Sequence, residues 1–237
     1  MRFYLPQITS KSDITLTGDA HTHAAYALRI RPGDYLKVFD GRGTEYSCKV
    51  KEIKKEVTLL EVLDEVENAG EASINVTLYL SVIKQDRFEL AVQKTTEIGV
   101  NRIVPVYSAY TQRNFTLNID RLNKIAVSAC EQCGRSRIPV IEQAIEFDEL
   151  LSCVKNTHFI FPWEREMHGS LKSAIDTTKN DVSVFIGPEG GITEQEKNLL
   201  VEAGAKSVTL GKRILRAETA AIATLSVIYC EMGEWIL

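Results

Sequence analysis

The chain has 237 residues, of which 44% are hydrophobic and 25% charged, and its formal net charge at pH 7 is −4. This length and composition are those of an ordinary globular protein with a buried core. The sequence contains no apolar run of membrane-spanning length, and the N-terminus lacks the pattern of a secretory signal, so we expect a cytoplasmic protein without a membrane anchor. The acidic balance argues against non-specific nucleic-acid binding through a global basic field, but it does not exclude a local basic face.

The residue types that commonly hold metals do not form a ligand pattern in this sequence. Cys130 and Cys133 make a CxxC just before Gly134, where it closes a predicted helix, whereas a redox pair usually opens one. It lacks a second ligand pair at the spacing of a zinc site. His21 and His23 fall in a helical segment, in which side chains two residues apart do not face each other. We therefore expect structural, reduced cysteines and no metal.

The first third of the chain is predicted to be rich in β-structure. The turn residues 40–43 (DGRG) separate two strands, 35–39 and 44–53, in the pattern of a hairpin. Several short strands around one helix suggest a small β-barrel, and we assign residues 1–70 to this domain. Further strands are predicted at 2–5, 14–16 and 56–66, with a helical segment at 19–28. Residues 68–73 (NAGEAS) are polar and small, as in a linker between domains.

From residue 74 onward, strands and helices alternate, which is typical of a mainly parallel sheet, and we assign residues 74–237 to a second, α/β domain. Helices are predicted to begin at the capping residues Asp86 and Asp120, and at Thr193, which forms a capping box with Glu196. The last helix, about 218–232, is apolar around nearly its whole circumference, so it is either a central core helix or packs against a second subunit. Strands are predicted at 74–82, 102–107, 157–161, 181–186 and 206–210.

Two of these strands run into glycine-bearing loops. GPEGG at 187–191 follows one strand, and Gly211 opens the loop after the next. In an open α/β sheet, loops at the carboxyl ends of parallel strands form the crevice in which small ligands bind. Glycines let backbone amides approach a ligand closely, although any single glycine is more often only part of a turn. The repetition of glycine loops favours a ligand site.

The segments 186–191 and 210–221 (LGKRILRAETAA) resemble the cofactor loops of the SPOUT methyltransferases, and more narrowly those of the ribosomal RNA small subunit methyltransferase E family. The N-terminal part, with LRIRPGD at 28–34 and VFDGRG at 38–43, resembles the PUA-like domain of that family. The resemblance implies a C-terminal SPOUT domain with a deep trefoil knot, S-adenosylmethionine as cofactor and a homodimer formed through the knot. The family's reaction is methylation of N3 of a specific uridine in 16S ribosomal RNA, as naked RNA or in the assembled small subunit.

The same resemblance assigns residues to the cofactor. A third cofactor loop is expected at 162–164 (PWE). The residues implied to surround S-adenosylmethionine are Ile186, Gly187, Pro188, Glu189, Gly190, Leu210, Gly211, Ile214, Leu215, Ala217, Thr219 and Ala220.

Methylation of uracil N3 also needs the N3–H proton to leave. Arg216, right after the second loop, is our candidate for stabilising the developing imide anion. Glu218 and Glu189 are candidates for accepting the proton, although the helix dipole also explains a glutamate at a helix start. For RNA we expect contacts from cations in family-like segments, each of which could equally be a solvated surface charge: Arg2, Arg29, Arg31, Lys94, Arg113, Arg135 and Arg137.

Three other functions remain open at this stage. A SPOUT ribose 2′-O-methyltransferase shares the cofactor loops but normally lacks the N-terminal domain. A non-catalytic RNA-binding or ribosome-assembly factor could have kept the fold. A phosphate-binding role for GPEGG is weaker, because the glycines are not followed by the lysine of a P-loop.

Overall fold

The computed structural model describes residues 1–8, 10–113, 116–155 and 157–235, and the chain divides into two compact units. The first comprises Met1–Glu71 and Val127–Ile138, and the second comprises Ala72–Ala126 and Pro139–Leu237. The first unit is therefore discontinuous in sequence, whereas the predicted boundary at 70–74 placed Val127–Ile138 in the second domain. Residues 236 and 237, the end of the predicted second domain, lie outside the described residues.

The first unit is built on a mixed five-stranded sheet with the strand order β1-β3-β4-β5-β2. β1 is parallel to β3, and the remaining pairs are antiparallel. The elements are β1 (Arg2–Tyr4), β2 (Asp13–Thr17), α1 (Gly18–Thr22) with a π-helical turn (His23–Ala27), β3 (Tyr35–Phe39), β4 (Thr44–Ile53) and β5 (Val57–Glu67).

Local chemistry explains the central hairpin of this sheet. The Asp40 carboxylate accepts hydrogen bonds from the backbone N–H groups of Arg42, Gly43 and Thr44 at 2.7, 3.1 and 3.0 Å. These bonds fix the turn between β3 and β4 and confirm the predicted hairpin. Among the described residues no ladder joins β1 to β2, so the sheet is open where the sequence suggested a barrel; both edge strands are short and offer few groups for closure.

The second unit contains a parallel sheet of seven strands in the order β12-β10-β11-β6-β7-β8, with β9 also paired to β7. The strands are β6 (Asn75–Ser81), β7 (Arg102–Tyr107), β8 (Val140–Ile141), β9 (Ile145–Glu146), β10 (His158–Pro162), β11 (Asp181–Ile186) and β12 (Lys206–Val208). The helices are α2 (Gln85–Ile98), α3 (Ile119–Cys133), α4 (Phe147–Val154), α5 (Leu171–Ala174), α6 (Glu194–Ala203) and α7 (Ala217–Glu231). The last half of α3 belongs to the first unit.

The structure confirms one of the predicted helix caps and corrects two. Glu196 N–H donates to Thr193 Oγ1 at 3.1 Å and Thr193 N–H donates back to Glu196 Oε2 at 2.9 Å, which is the predicted capping box of α6. α2 begins at Gln85 after the N-cap residue Lys84, so Asp86 lies in the first turn and not at the cap. α3 begins before Asp120.

Asn118, not Asp120, serves the start of α3: its Oδ1 accepts the backbone N–H of Arg121 at 3.0 Å. Both corrections have one cause. Each helix starts a residue or more before the acidic side chain that resembled a cap, and an acidic residue in the first turn is favoured by the helix dipole without capping.

α7 is a core helix, as one of the two predicted alternatives required. Ala221, Leu225 and Ile228 are fully buried, and only Val227 among its large apolar side chains is exposed, at 37%. α7 packs closely against α2. The closeness is seen at Gly99, the C-cap of α2, where an added Cβ would lie 2.6 Å from the Tyr229 ring. Within the described part of the chain, no helix is long and apolar enough to cross a membrane.

Candidate functional site

The second unit contains a cavity of about 380 Å³ at the carboxyl ends of β10, β11 and β12. β10 lies between the other two strands, so the loops that follow all three meet at one edge of the sheet. These loops are residues 162–164, 187–192 and 209–216. The expected third loop at 162–164 therefore does line the cavity, next to the two glycine loops.

Close packing behind the GPEGG loop explains its glycines. A Cβ at Gly190 would lie 2.7 Å from Tyr110 Cβ, and a Cβ at Gly191 would lie 2.6 Å from Glu164 Oε1. Gly191 also has φ of 79°, which side-chain-bearing residues rarely adopt, and its N–H donates to the Pro188 carbonyl at 2.9 Å. Close packing therefore favours glycine at position 190, and backbone conformation favours it at position 191.

Hydrogen bonds between the loops hold the cavity walls in position. Trp163 Nε1–H donates to the Ile192 carbonyl at 3.1 Å, which joins the loop after β10 to the loop after β11. The Lys197 ammonium lies 5.3 Å from the centre of the Trp163 ring. Ala109 N–H donates to Glu196 Oε1 at 2.7 Å, so the same carboxylate that caps α6 also fixes the loop after β7. Two of the three loops that line the cavity are thus joined directly by a side-chain hydrogen bond.

Most of the residues assigned to the cofactor by resemblance are brought together here. Thr219 is the exception: it lies on the exposed face of α7 and is not in the cavity wall. The predicted residues that line the cavity are Ile186, Gly187, Pro188, Glu189, Gly190, Leu210, Gly211, Ile214, Leu215, Ala217 and Ala220.

The three catalytic candidates separate into two groups. Arg216 and Glu189 both line the cavity and are exposed to solvent. Glu218 is 6% exposed and does not line the cavity, and its Oε2 has no hydrogen-bond partner among the described residues. The arrangement brings Arg216 together with Glu189, and it leaves Glu218 in the first turn of α7, where the helix dipole favours its charge.

Sequence reasoning missed Arg87, which also lines the cavity. Its guanidinium Nη1 is 3.8 Å from Glu189 Oε1, and its side chain is 27% exposed. Arg87 lies in the first turn of α2, just after β6, and β6 pairs with β11. The signal that could have found it is this topology: a residue that follows a strand adjacent to β11 reaches the same edge of the sheet.

Two predicted RNA contacts, Arg2 and Arg135, are corrected by the structure. Arg2 Nη2 is 2.6 Å from Glu45 Oε2, and Arg2 Nη1 donates to the Cys130 carbonyl at 2.8 Å. The Arg135 side chain is 3% exposed, and its Nη2 is 2.8 Å from Glu71 Oε2. Both guanidinium groups are thus used inside the first unit, because a buried arginine needs such partners, and neither faces a solvent-exposed phosphate site.

The other predicted RNA contacts lie at or near the surface of their own units. In the first unit Arg29 and Arg31 are exposed, and Arg137 is exposed with its guanidinium donating to Asn68 Oδ1 at 2.7 Å. In the second unit Arg113 forms two bonds to Glu146, at 2.8 and 2.6 Å, which hold the pKa of that carboxyl below its ordinary value. Lys94 Nζ is 2.8 Å from Glu97 Oε1.

The cysteines and histidines do not supply a competing site. Burial raises the pKa of the Cys130 thiol to about 12, which makes it unreactive as a thiolate. His21 is buried, and its Nδ1 lies 2.9 Å from Thr58 Oγ1. Among the described residues no group of three or more His, Cys, Asp or Glu side chains could hold a metal ion.

Comparisons with known proteins point to one activity. A family model described as an RNA methyltransferase domain matches residues 70–229, and one described as an RNA methyltransferase PUA domain matches residues 16–62. A Rickettsia conorii protein named Ribosomal RNA small subunit methyltransferase E is 32% identical over 231 residues, which are 95% of this chain and 93% of that protein. A Mesomycoplasma hyopneumoniae protein of the same name is 35% identical over 172 residues, which are 70% of this chain and 74% of that protein.

A solved structure extends the likeness to the cofactor. The crystal structure of a Ribosomal RNA small subunit methyltransferase E from Neisseria gonorrhoeae bound to S-adenosyl methionine has a TM-score of 0.87 and 32% sequence identity to this chain. The likeness covers 97% of this chain and 96% of that one.

Proposed function

The chain belongs to the ribosomal RNA small subunit methyltransferase E family, and from this premise we propose that it transfers a methyl group from S-adenosylmethionine to N3 of a specific uridine in 16S ribosomal RNA. The observation that carries the proposal is the cavity of about 380 Å³ bounded by the loops after β10, β11 and β12. The match of a PUA domain at residues 16–62 supports an RNA substrate. An rRNA substrate also supports a cytoplasmic location for the protein.

The residues of the cavity fit S-adenosylmethionine. Apolar side chains, including Ile186, Leu210 and Leu215, suit the adenosine portion, and the glycine loops offer backbone N–H groups at close range. When bound, the cofactor supplies a methyl group activated by its sulfonium, and such a transfer depends mainly on alignment of the two reactants. The bonded, glycine-rich walls of the cavity provide that alignment.

We assign the acid–base work to two side chains of the cavity wall. Glu189 accepts the N3–H proton of the target uracil, so that N3 has a lone pair for the methyl carbon. Arg216 donates hydrogen bonds to a carbonyl oxygen beside N3 and stabilises the negative charge that develops there. Glu189 is preferred to Glu218 as the base, because Glu218 does not line the cavity.

For RNA binding we retain the exposed cations. Arg29, Arg31 and Arg137 of the first unit and Lys94 and Arg113 of the second are exposed or half-buried, and each could contact phosphate or an unpaired base. The target uridine must leave any base stack to reach the cavity.

Membership of the family supports two further parts of the proposal, a deep trefoil knot around the three loops and a homodimer. The exposed apolar side chain of Val227 on α7, 37% accessible, is consistent with such a dimer.

The test is a comparison of modified nucleotides in 16S rRNA from cells that lack the protein and from cells that contain it. We expect one N3-methyluridine to disappear in the deletion strain and to return when purified protein and S-adenosylmethionine are added to its small subunits. Loss of a 2′-O-methyl group would instead indicate a ribose methyltransferase. An unchanged modification map together with RNA binding would indicate an assembly factor.

A further inference from the structure

Arg87 differs from three other arginines of the second unit in how its donors are used. Arg102, Arg113 and Arg121 each hold a carboxylate oxygen at 2.6 Å. The Arg87 guanidinium makes no hydrogen bond among the described residues, and its single ion contact is Glu189 at 3.8 Å. That separation allows electrostatic attraction but is too long for a hydrogen bond. Arg87 therefore keeps its donors available while lining the cavity.

Arg216 also has unused donors: it lines the cavity, and its guanidinium has no hydrogen bond to any described residue. The wall thus carries unfilled donors on Arg87 and Arg216 and an unfilled acceptor on the Glu189 carboxylate. Lys212, Arg213 and Glu164 also line the cavity, but among these described charged groups Arg87 and Glu189 are the two in ion contact. Charged groups held in a cavity wall with unfilled hydrogen bonds are suited to a polar ligand that supplies the complementary groups.

The Watson–Crick edge of uracil supplies those groups. It presents an acceptor (O4), a donor (N3–H) and an acceptor (O2) in a row. We propose that Arg87, with Glu189 and Arg216, reads this edge and restricts the enzyme to uracil, which deepens the proposed function and rests on it. Cytosine presents an amino donor at position 4 and an unprotonated N3, so one guanidinium would face a donor and the carboxylate would face an acceptor. Such unpaired polar groups oppose binding strongly.

The same contacts serve the reaction. The N3–H bond breaks, and its proton passes to the Glu189 carboxylate. The electron pair left on N3 forms the new bond to the methyl carbon, while the carbon–sulfur bond breaks and its electrons stay on sulfur, which becomes a neutral thioether. Negative charge that reaches the carbonyl oxygens before methyl transfer is met by Arg87 on one side of N3 and by Arg216 on the other.

The inference is tested with two RNA substrates that differ only in uridine or cytidine at the target position, using the full-length protein. The variants are Arg87→Met, which keeps the stem and removes the charge, and Arg87→Lys, which keeps the charge and loses the planar fork. Arg102→Met is the matched control, because Arg102 begins β7 and so lies at the amino ends of the strands, away from the cavity. Calorimetric titration with S-adenosylmethionine measures cofactor affinity independently of turnover.

We expect wild-type enzyme to prefer the uridine RNA by a factor of about 100 or more. Arg87→Met should lower kcat on uridine RNA by a factor of about 10 to 100 and move the uridine-to-cytidine ratio toward one, with cofactor Kd changed less than about twofold. The kcat and the uridine-to-cytidine ratio of Arg87→Lys should lie between those of wild type and Arg87→Met. Both values for Arg102→Met should match wild type.

Three outcomes would overturn the inference. A large loss of cofactor affinity in Arg87→Met with an unchanged base ratio would mean that Arg87 holds the cofactor's carboxylate. Unchanged kinetics on both RNAs would mean that Arg87 only balances the charge of Glu189. Wild-type protein that binds the cofactor but methylates neither RNA would remove the proposed function, and the base-reading role with it.

Discussion

Two pairs of arginine side chains contrast in what their donors contact. Arg2 and Arg135 are buried and hold carboxylates of their own unit, so their task is to stabilise the fold. Arg87 and Arg216 line a cavity and have no side-chain hydrogen bonds within the described chain, so their donors are available to a ligand. A count of basic residues cannot make this distinction, because it depends on burial and partners.

At the residue scale, removal of Arg216 should separate catalysis from binding. We expect Arg216→Ala to lower kcat by a factor of about 100, the size of effect seen when one donor to a developing oxyanion is removed. Cofactor Kd from calorimetry should stay within about threefold, because the loop backbones supply most of the contacts. Arg102→Ala is the control and should leave both values unchanged; a wild-type kcat for Arg216→Ala would contradict the assigned role.

The buried ion pair of the first unit leads to a prediction about stability. Glu71 accepts hydrogen bonds from the Arg135 guanidinium and from Arg137 N–H at 2.7 Å, and the two side chains of the pair are 5% and 3% exposed. Glu71→Gln removes the carboxylate charge from this buried pair and should lower the free energy of unfolding by about 3–5 kcal/mol. Urea unfolding followed by circular dichroism measures this change.

The matched control is the more exposed pair of Arg102 and Glu142, with side chains 45% and 33% accessible. Glu142→Gln should lower the free energy of unfolding by about 1 kcal/mol or less, since solvent screens such a pair. Equal losses in the two variants would show that burial does not govern the strength of these pairs.

At the scale of secondary-structure elements, three loops at the ends of β10, β11 and β12 form the site, and interactions behind them set their shape. Trp163 joins two of the loops, and the Glu196 carboxylate ties the start of α6 to the loop after β7. Gly190 of the GPEGG loop is favoured because Tyr110 occupies the space that a side chain would take, and Gly191 is favoured by its positive φ. The geometry of the cavity therefore belongs to the loops as a set.

Gly190→Ala should accordingly weaken cofactor binding. The added Cβ would lie 2.7 Å from Tyr110 Cβ, so the loop must shift toward the cavity or Tyr110 must move. We expect cofactor Kd, measured by calorimetry, to rise by a factor of about 10, equivalent to about 1.4 kcal/mol. Gly33→Ala, in the first unit, has a strained φ of 97° but open space around it, and it should reduce stability with no change in Kd. Parallel changes in the two variants would attribute the Gly190 effect to stability alone.

Trp163 should report cofactor binding by fluorescence. The chain has two tryptophans, and Trp163 lines the cavity whereas Trp235 does not. Addition of S-adenosylmethionine should change the emission of wild-type protein, because the environment of the indole changes when the cavity is filled. Trp163→Phe should abolish the response and Trp235→Phe should retain it. A response that follows Trp235 would place the ligand outside this cavity.

For the whole molecule, the sequence predicted those features that local pattern encodes. The parallel α/β arrangement, the hairpin at Asp40 and the capping box at Thr193 each follow from spacing and residue type within a few positions. The position of β10 between β11 and β12 depends on strand order, which no local periodicity contains. The same is true of the pairing of β6 with β11, which explains the place of Arg87 in the cavity wall. The burial of Arg135 depends likewise on a long-range partner, Glu71.

The division of the first unit into Met1–Glu71 and Val127–Ile138 affects the order of events during synthesis. The chain leaves the ribosome N-terminus first, so the first unit, which contains the PUA match, cannot complete its fold until the segment ending at residue 138 has emerged. The ion pair between Glu71 and Arg135 cannot form before that point. A fragment truncated after residue 71 would carry that carboxylate permanently unmatched. Residues 1–71 alone therefore do not contain the whole first unit. A fusion of this unit to another enzyme would also have to include Val127–Ile138.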